Sequence, residues 1–381
     1  MAAKGLEGVV AAETRLSRVL GDDGRLIIAG YEIDDLAEHT SFEEICHLLW
    51  YGSLPTRTQL DGLRAKLADA LPVDPRIIDL LRLTPAGVHP MATLRTAVSA
   101  LAAYDTDAED NSAAANERKA IRLTARTITI TAALDRIRNG HEPVDPRTDL
   151  SLAANLLYML SGSPPDALAT RIIDVAMTLH AEHGMNASTF AGRVAAGTLS
   201  DMHSAVTAAI ATLKGPLHGG ANERVMKMLR DIGEPSNAPA WVRSALDRGE
   251  RIMGFGHRVY RTTDPRAPIL KRLAEQLDTT GGNGRWLDIS ERVQATMREE
   301  MDRRGKQIYP NVDFFSASVY FTLGIPADLF TNIFACARMA GWTAHVMEQH
   351  ADNRLIRPRA GYVGAMDLKV APIDERRERE D

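Results

Sequence analysis

Cysteine is almost missing from this chain: among 381 residues only Cys46 and Cys336 carry a thiol. They stand in separate apolar segments, with no C-x-x-C. That excludes a disulfide framework and a redox motif, and reads as two small core residues in a reducing compartment. An excess of one charge is missing too. Fifty acidic against 45 basic residues leave a net charge of −5, so the chain as a whole has no footprint for nucleic acid or an anionic membrane, and any anion site must be local. No apolar run is long enough to span a bilayer, and the start, Met1-Ala-Ala-Lys-Gly-Leu-Glu7, has no signal-type apolar segment. A cytoplasmic protein is expected. Internal repeats, a nucleophile elbow on serine or cysteine, and a metal-ligand set are absent as well. What remains is an ordinary globular composition, 45% hydrophobic, with length for about two or three domains' worth of core.

The best strand signal lies between Leu16 and Ile33, two short runs around Gly21-Asp-Asp-Gly24, which implies a small N-terminal β-hairpin. Beyond it nearly everything reads as helix, giving a mainly α fold. Helical spacing runs over 42–51 to a stop at Gly52, over 58–71 before Pro72, over 75–83 before Pro85, and over 91–104. An acidic loop at 105–116 follows, then helices over 118–138 and 151–160. The run 167–182 is apolar on nearly every side and should be a central buried helix. Further helices are expected over 201–214, 238–249, 265–277, 289–304, 314–322 and 331–350, and the charged end 374–381 reads as a solvated tail.

Four stretches carry chemistry. Gly215-Pro-Leu-His-Gly-Gly-Ala-Asn222 puts His218 between helix breakers and two glycines, at or just before the N-terminus of a helix, where the helix's partial positive charge favours a neutral imidazole. His180 and His183 fall on one face of the 167–182 helix, but no third ligand follows at zinc spacing and no metal is expected. Arg251-Ile-Met-Gly-Phe-Gly-His257 sets glycines around another histidine. The Gly254-x-Gly256 pair is too short for a dinucleotide fingerprint and fits close approach of a ligand to the backbone. Arg266 in the first turn of a helix opposes the helix dipole, which is easier to understand if an anion binds there. Asp313 is placed as a helix cap or first-turn residue, and Arg338, inside an apolar run, must meet Glu348, another acid or a ligand. Arg251, Arg258, Arg261, Arg266, Lys271 and Arg272 flank His257, and Arg303, Arg304 and Lys306 precede Asp313. Two loop histidines, one carboxylate and several arginines are equipment for proton abstraction and carbonyl chemistry on a polycarboxylate.

In order and spacing, Gly215-Pro-Leu-His218-Gly-Gly-Ala-Asn, Gly254-Phe-Gly-His257-Arg-Val-Tyr with Asp264-Pro-Arg266, Pro310-Asn-Val-Asp313 and Arg357-Pro-Arg resemble the citrate synthase family. With His180-Ala-Glu-His183 and the stretch around Arg338, the resemblance covers most of the chain up to about Gly364. It implies a two-domain helical fold: a large domain over 1–219 and 324–381, and a small one over 220–323 that closes on bound substrate. It implies condensation of acetyl-CoA with oxaloacetate to citrate and CoA, an acyltransferase reaction of the tricarboxylic acid cycle that needs no cofactor, since the CoA thioester is itself a substrate. Asp313 would remove a methyl proton, neutral His218 would hydrogen-bond the thioester oxygen, and His257 would protonate the oxaloacetate carbonyl. His183, Arg266, Arg338 and Arg357 would hold oxaloacetate, with Arg357 reaching across a homodimer interface. CoA would lie along Arg251, Ile252, Met253, Gly254, Phe255 and Lys306. The chain starts close to this catalytic core, without the extra N-terminal domain of an NADH-regulated hexameric subgroup, so that regulation is not expected.

A 2-methylcitrate synthase, which uses propionyl-CoA, shares every motif quoted. A metal-dependent hydrolase built on His180, Glu182 and His183, or a non-catalytic helical scaffold, are readings of other classes, separable by EDTA sensitivity and by thiol release from acetyl-CoA.

Overall fold

The N-terminal strand signal becomes a three-stranded antiparallel sheet, β1 (Ser17–Leu20), β2 (Arg25–Ile28) and β3 (Tyr31–Glu32), in that order. Its register pairs Ser17 with Ile28, Leu20 with Arg25 and Ile27 with Glu32. Buried Leu26 and Ile28 alternate with exposed Arg25, the period of a half-buried strand. The expected hairpin is therefore there, and Tyr31 and Glu32 add a short third strand after a turn at Ala29-Gly30. A computed structural model of the chain describes residues 4–6, 8–279 and 284–376. Parts of the N-terminal stretch 1–7 and of the expected tail 374–381 lie outside the described residues.

Sixteen α-helices follow among the described residues: α1 (Ile33–His39), α2 (Phe42–Tyr51), α3 (Arg57–Ala70), α4 (Pro75–Leu83), α5 (Pro90–Leu101), α6 (Ala113–Arg138), α7 (Leu152–Ser161), α8 (Ala167–His180), α9 (Ala187–Ala196), α10 (Met202–Leu213), α11 (Ala221–Ile232), α12 (Ala238–Asp247), α13 (Arg266–Thr279), α14 (Arg285–Arg303), α15 (Val312–Thr322) and α16 (Phe330–Ala351). Local chemistry explains their ends. Ser41 and Glu44 form a capping box on α2, and Gly52 at φ 80° stops it. Ser112, Asp166, Asn186 and Asn311 cap α6, α8, α9 and α15 with their side chains. The 105–116 loop is shorter than expected because the Ser112 cap starts α6 at Ala113.

α16 is buried without a break from Phe330 to Val346, and α2, α6, α8, α9 and α10 pack around it. α11 to α15 pack mainly on one another, with α15 against α11 and α13, and α14 against α12. α8 touches α13 and α16 touches α11, so a seam runs between the two groups. Beyond α16 the backbone is an extended arm, on which Leu355, Tyr362, Val363, Met366, Leu368 and Val370 are all exposed. No helix among the described residues is long and apolar enough to cross a membrane.

Candidate active site

α8 stops at His180, two residues short of the expected end, so His180 and His183 do not share a helix face. The His180 ring turns back to the Ala176 carbonyl at 2.6 Å. His183 stands past the helix end, where its Nε2 shares a hydrogen bond of 3.1 Å with the Tyr260 hydroxyl. Across from it, α16 presents Arg338, 1% exposed. The carboxylate that its burial demanded is not Glu348, which faces Arg193 at 2.6 Å. Arg338 instead donates from Nε to the His180 carbonyl at 2.6 Å and lies over the Phe334 ring, 4.8 Å from its centroid. Among the described residues it has no ion pair. Burial draws its pKa down only to about 10, so it stays cationic at neutral pH.

The second side of the seam is built from residues 251–266 and 309–313. Gly254 and Gly256 have φ of 79° and 84°, a region that glycine enters without strain. They let the loop pair with the chain before α15: the Gly256 amide donates to the Tyr309 carbonyl and the Asn311 amide to the Gly254 carbonyl, at 2.8 and 2.9 Å. His257 accepts on Nδ1 from the Val259 and Tyr260 amides at 3.0 and 3.1 Å. Nδ1 is therefore the acceptor and a neutral ring carries its proton on Nε2. Burial, with Arg266 adding to it, lowers the His257 pKa to about 4. The anion expected at the start of α13 is one of the chain's own, because Arg266 forks onto Asp264 at 2.9 and 2.7 Å. Asp264 also takes the Val312 amide at 3.3 Å, so one carboxylate ties the starts of α13 and α15 together.

Asp313 is a first-turn residue and not the cap. Asn311 is the cap, and its Oδ1 accepts the Asp313 amide at 3.0 Å. The Asp313 Oδ1 is buried with no hydrogen-bond partner. Burial pushes its pKa up to about 7 against the pull of Arg266 and Arg338. The helix start on which Asp313 sits does not keep it fully ionised: the dipole contributes about 0.3–1 kcal/mol, and the cost of burying the charged form outweighs it.

His218 lies in a turn three residues before α11, which begins at Ala221. A Cβ at Gly219 would stand 2.6 Å from the Leu213 carbonyl, so the turn closes only with glycine there. The Ser188 amide donates to His218 Nε2 at 3.2 Å, and the Ser188 hydroxyl is 2.8 Å from the same nitrogen. This leaves the proton of the neutral ring on Nδ1. The ring is neutral as expected, but burial comes first and Arg338 second in lowering its pKa to about 4.

The charge of Arg338 is felt at His218, His183 and Asp313, and that of Arg266 at His257, His183 and Asp313. Rings His183 and His257 stand edge to face with centroids 5.3 Å apart. The site residues thus gather around the same two guanidiniums, at the seam. Arg357 is not among them in this chain: it is exposed on the arm, without a hydrogen bond or ion pair among the described residues. Of the loop residues, Ile252 is buried and Phe255 packs on Phe314 with centroids 4.7 Å apart. Arg251 and Lys306 are exposed with no side-chain partner among the described residues, while Arg261, Lys271, Arg303 and Arg304 each meet a carboxylate. Sequence reasoning missed Ser188, Tyr260 and Asp264 as working parts. Only Asp264, two residues before Arg266, had a local signal.

A family model described as citrate synthase, C-terminal domain, matches residues 5–359. The citrate synthase of Haloferax volcanii is 49% identical over 98% of this chain and 98% of its own, and citrate synthase 2 of Bacillus subtilis is 50% identical over 98% and 99%. A 2-methylcitrate synthase of Mycobacterium tuberculosis is 45% identical over 95% of this chain and 90% of its own. The citrate synthase of Thermoplasma acidophilum, solved as a ternary complex with carboxymethyl-CoA and oxaloacetate, superposes with a TM-score of 0.93 at 35% identity, covering 99% of this chain and all of that one. Relatives that match from end to end, and a fold shared to this degree, leave one conclusion: the chain belongs to the citrate synthase family.

Proposed function

We propose that this enzyme condenses acetyl-CoA with oxaloacetate and water to citrate and CoA, with Asp313 as base, His218 as donor to the thioester oxygen and His257 as donor to the ketone. The observation that carries the assignment is the unpaired Asp313 carboxylate, with a pKa near 7, sharing the fields of Arg338 and Arg266 with two histidines that are neutral and have one N–H each left to give. A base with a pKa near the working pH combines an available ionised form with driving force for proton removal. Asp313 takes a proton from the acetyl methyl group. The electrons move onto the thioester oxygen, which the Nδ1–H of His218 stabilises, a kind of contact worth about 2.7–4 kcal/mol elsewhere. The resulting enolate carbon attacks the oxaloacetate ketone, whose oxygen receives the Nε2 proton of His257, and the proton that Asp313 took from the methyl group makes good the one His257 has given before the next turnover. Water then cleaves the citryl thioester and releases CoA.

Oxaloacetate fits the seam because Arg338 has terminal nitrogens without a carboxylate, with His183 and Arg266 beside it. Arg357 completes the site from a second subunit. In support, its arm carries a row of exposed apolar side chains that a partner surface would cover. CoA lies along 251–255, with Arg251 and Lys306 free to meet its phosphates. Residues 220–323 form the small domain that closes on oxaloacetate to keep out water, against the large domain of 1–219 and 324–381. No cofactor takes part. The setting is the cytoplasm, in keeping with two buried free thiols, Cys46 and Cys336.

The 45% identity to a 2-methylcitrate synthase makes propionyl-CoA the competing acyl donor. One methylene in an apolar pocket separates substrates by only about 1–3 kcal/mol. The test is kcat/KM for the two thioesters with oxaloacetate, products identified: citrate formation with acetyl-CoA preferred is expected. A preference for propionyl-CoA would reassign the donor, and no thiol release from either would overturn the reading.

A further inference from the structure

Two anchors tie the N-terminal sheet to the two sides of the oxaloacetate site. At one end of β1, the Ser17 hydroxyl donates to Glu182 Oε1 at 2.9 Å and accepts the Gly184 amide at 2.9 Å, bracketing His183. Val19 packs beside Gly184. At the other end, the turn between β1 and β2 meets the loop after His257. The Arg261 amide donates to the Gly21 carbonyl at 3.0 Å. A Cβ on Gly21 would stand 2.3 Å from the Val259 carbonyl oxygen, and one on Gly24 2.7 Å from the Thr262 methyl group. Val259 and Tyr260 are the residues whose amides fix His257, and Tyr260 also holds His183. Between the anchors β1 spans about 13 Å and is stiffened by pairing with β2 along its whole length.

We propose that β1 and the Gly21–Gly24 turn act as a gauge that sets the spacing of His183 and His257 for oxaloacetate, with Ser17 and Gly21 as positioning residues. The inference rests on the function proposed above. The sheet touches both histidine loops through backbone, the Ser17 hydroxyl, the Val19 side chain and the exposed Asp22–Arg261 pair, so a change at either anchor moves one ring against the other. Nothing in these contacts touches the CoA loop at 251–255. The gauge therefore acts on oxaloacetate affinity and leaves thioester binding alone.

Gly21 is the sharper probe, since its φ is not in the left-handed region and alanine strains only the contact with Val259. The experiment is calorimetric titration of the full-length protein with oxaloacetate, with KM for acetyl-CoA measured at saturating oxaloacetate. Gly21→Ala should weaken oxaloacetate binding by about tenfold or more, since an ångström of misplacement can cost a hundredfold, with KM for acetyl-CoA within about threefold. Ser17→Ala should weaken oxaloacetate in the same sense, and Ser17→Thr, which keeps the hydroxyl, should restore it. Gly30→Ala, with open space around it but a φ of 96° that strains alanine in the β2–β3 turn, is the control for a sheet destabilised away from both anchors and should bind as wild type. Wild-type affinity in Gly21→Ala overturns the gauge. If that variant does not fold, wild-type affinity in Ser17→Ala overturns it instead. A wild-type protein that binds no oxaloacetate overturns the function reading itself.

Discussion

Around the proposed site, each side of the seam holds buried charge that is paired and one buried charge that is not. On the α8–α16 side, Glu182 meets His345 at 3.0 Å and Arg193 meets Glu348 at 2.6 Å, while Arg338 has no carboxylate. On the other side, Asp264 and Arg266 hold one another by two hydrogen bonds, while Asp313 has none. A buried charge without an opposite partner costs stability, and buried Glu43 and Lys119 bear that cost away from the seam; at the seam the unpaired charges stand among neutral histidines, where the proposed chemistry can use them. In the proposed reaction the paired groups named here are scaffold and the two unpaired ones face substrate. Their signs fit the proposal: a free cation for a carboxylate, a free carboxylate for a proton.

That contrast breaks most visibly at Asp313. Asp313→Asn should lower kcat by about 10²–10⁴-fold while oxaloacetate binding, measured by calorimetry, stays within a few-fold. Unchanged kcat would return Asp313 to the scaffold. The same variant sharpens the contrast in stability. The folded pKa of Asp313 lies above its ordinary value of 3.8, so folding favours the protonated form. Its contribution to stability is full below about pH 4 and is lost as pH rises through about 7. Asp313→Asn should therefore melt higher than wild type at pH 8 and equally at pH 4; equal melting at both would contradict the burial assigned to it.

Breaking a paired charge should behave differently. Glu182→Ala takes the buried acceptor from the His345 ring and the Ser17 hydroxyl and should cost about 1–3 kcal/mol in urea unfolding, and a loss under about 0.5 kcal/mol would show that the contact is not structural. Arg338→Leu should weaken oxaloacetate by about 10- to 150-fold, the worth of a hydrogen-bonded charge at about 1.5–3 kcal/mol, with a smaller effect on folding. A wild-type KM would make Arg338 scaffold as well. The smallest effect belongs to the exposed Asp22–Arg261 pair at 3.1 Å. Asp22→Ala should shift stability by about 0.5 kcal/mol or less, because the backbone of Gly21 makes that contact and the ion pair is open to solvent.

Much of the fold was legible because its signals are local. Pro75 opens α4 and Gly52 closes α2 where the sequence puts them. α1 and α9 went unread, the first for its seven residues and the second for a run of small side chains with weak periodicity. His218, His257 and Asp313 stood out because glycine and proline break the helices beside them. Their hydrogen-bond partners did not: Ser188 is 30 residues from His218, and Tyr260 is 77 from His183. The Asp313 environment was misread for the same reason, since side chains from other elements bury it and outweigh the helix end on which it sits.

The most direct test of the unpaired base is the pH dependence of kcat/KM for acetyl-CoA. With Asp313 near 7 and both histidines near 4, the account predicts a single acid limb centred near pH 7, with activity falling about tenfold per pH unit below it. A profile that stays flat from pH 8 to pH 5 would contradict it.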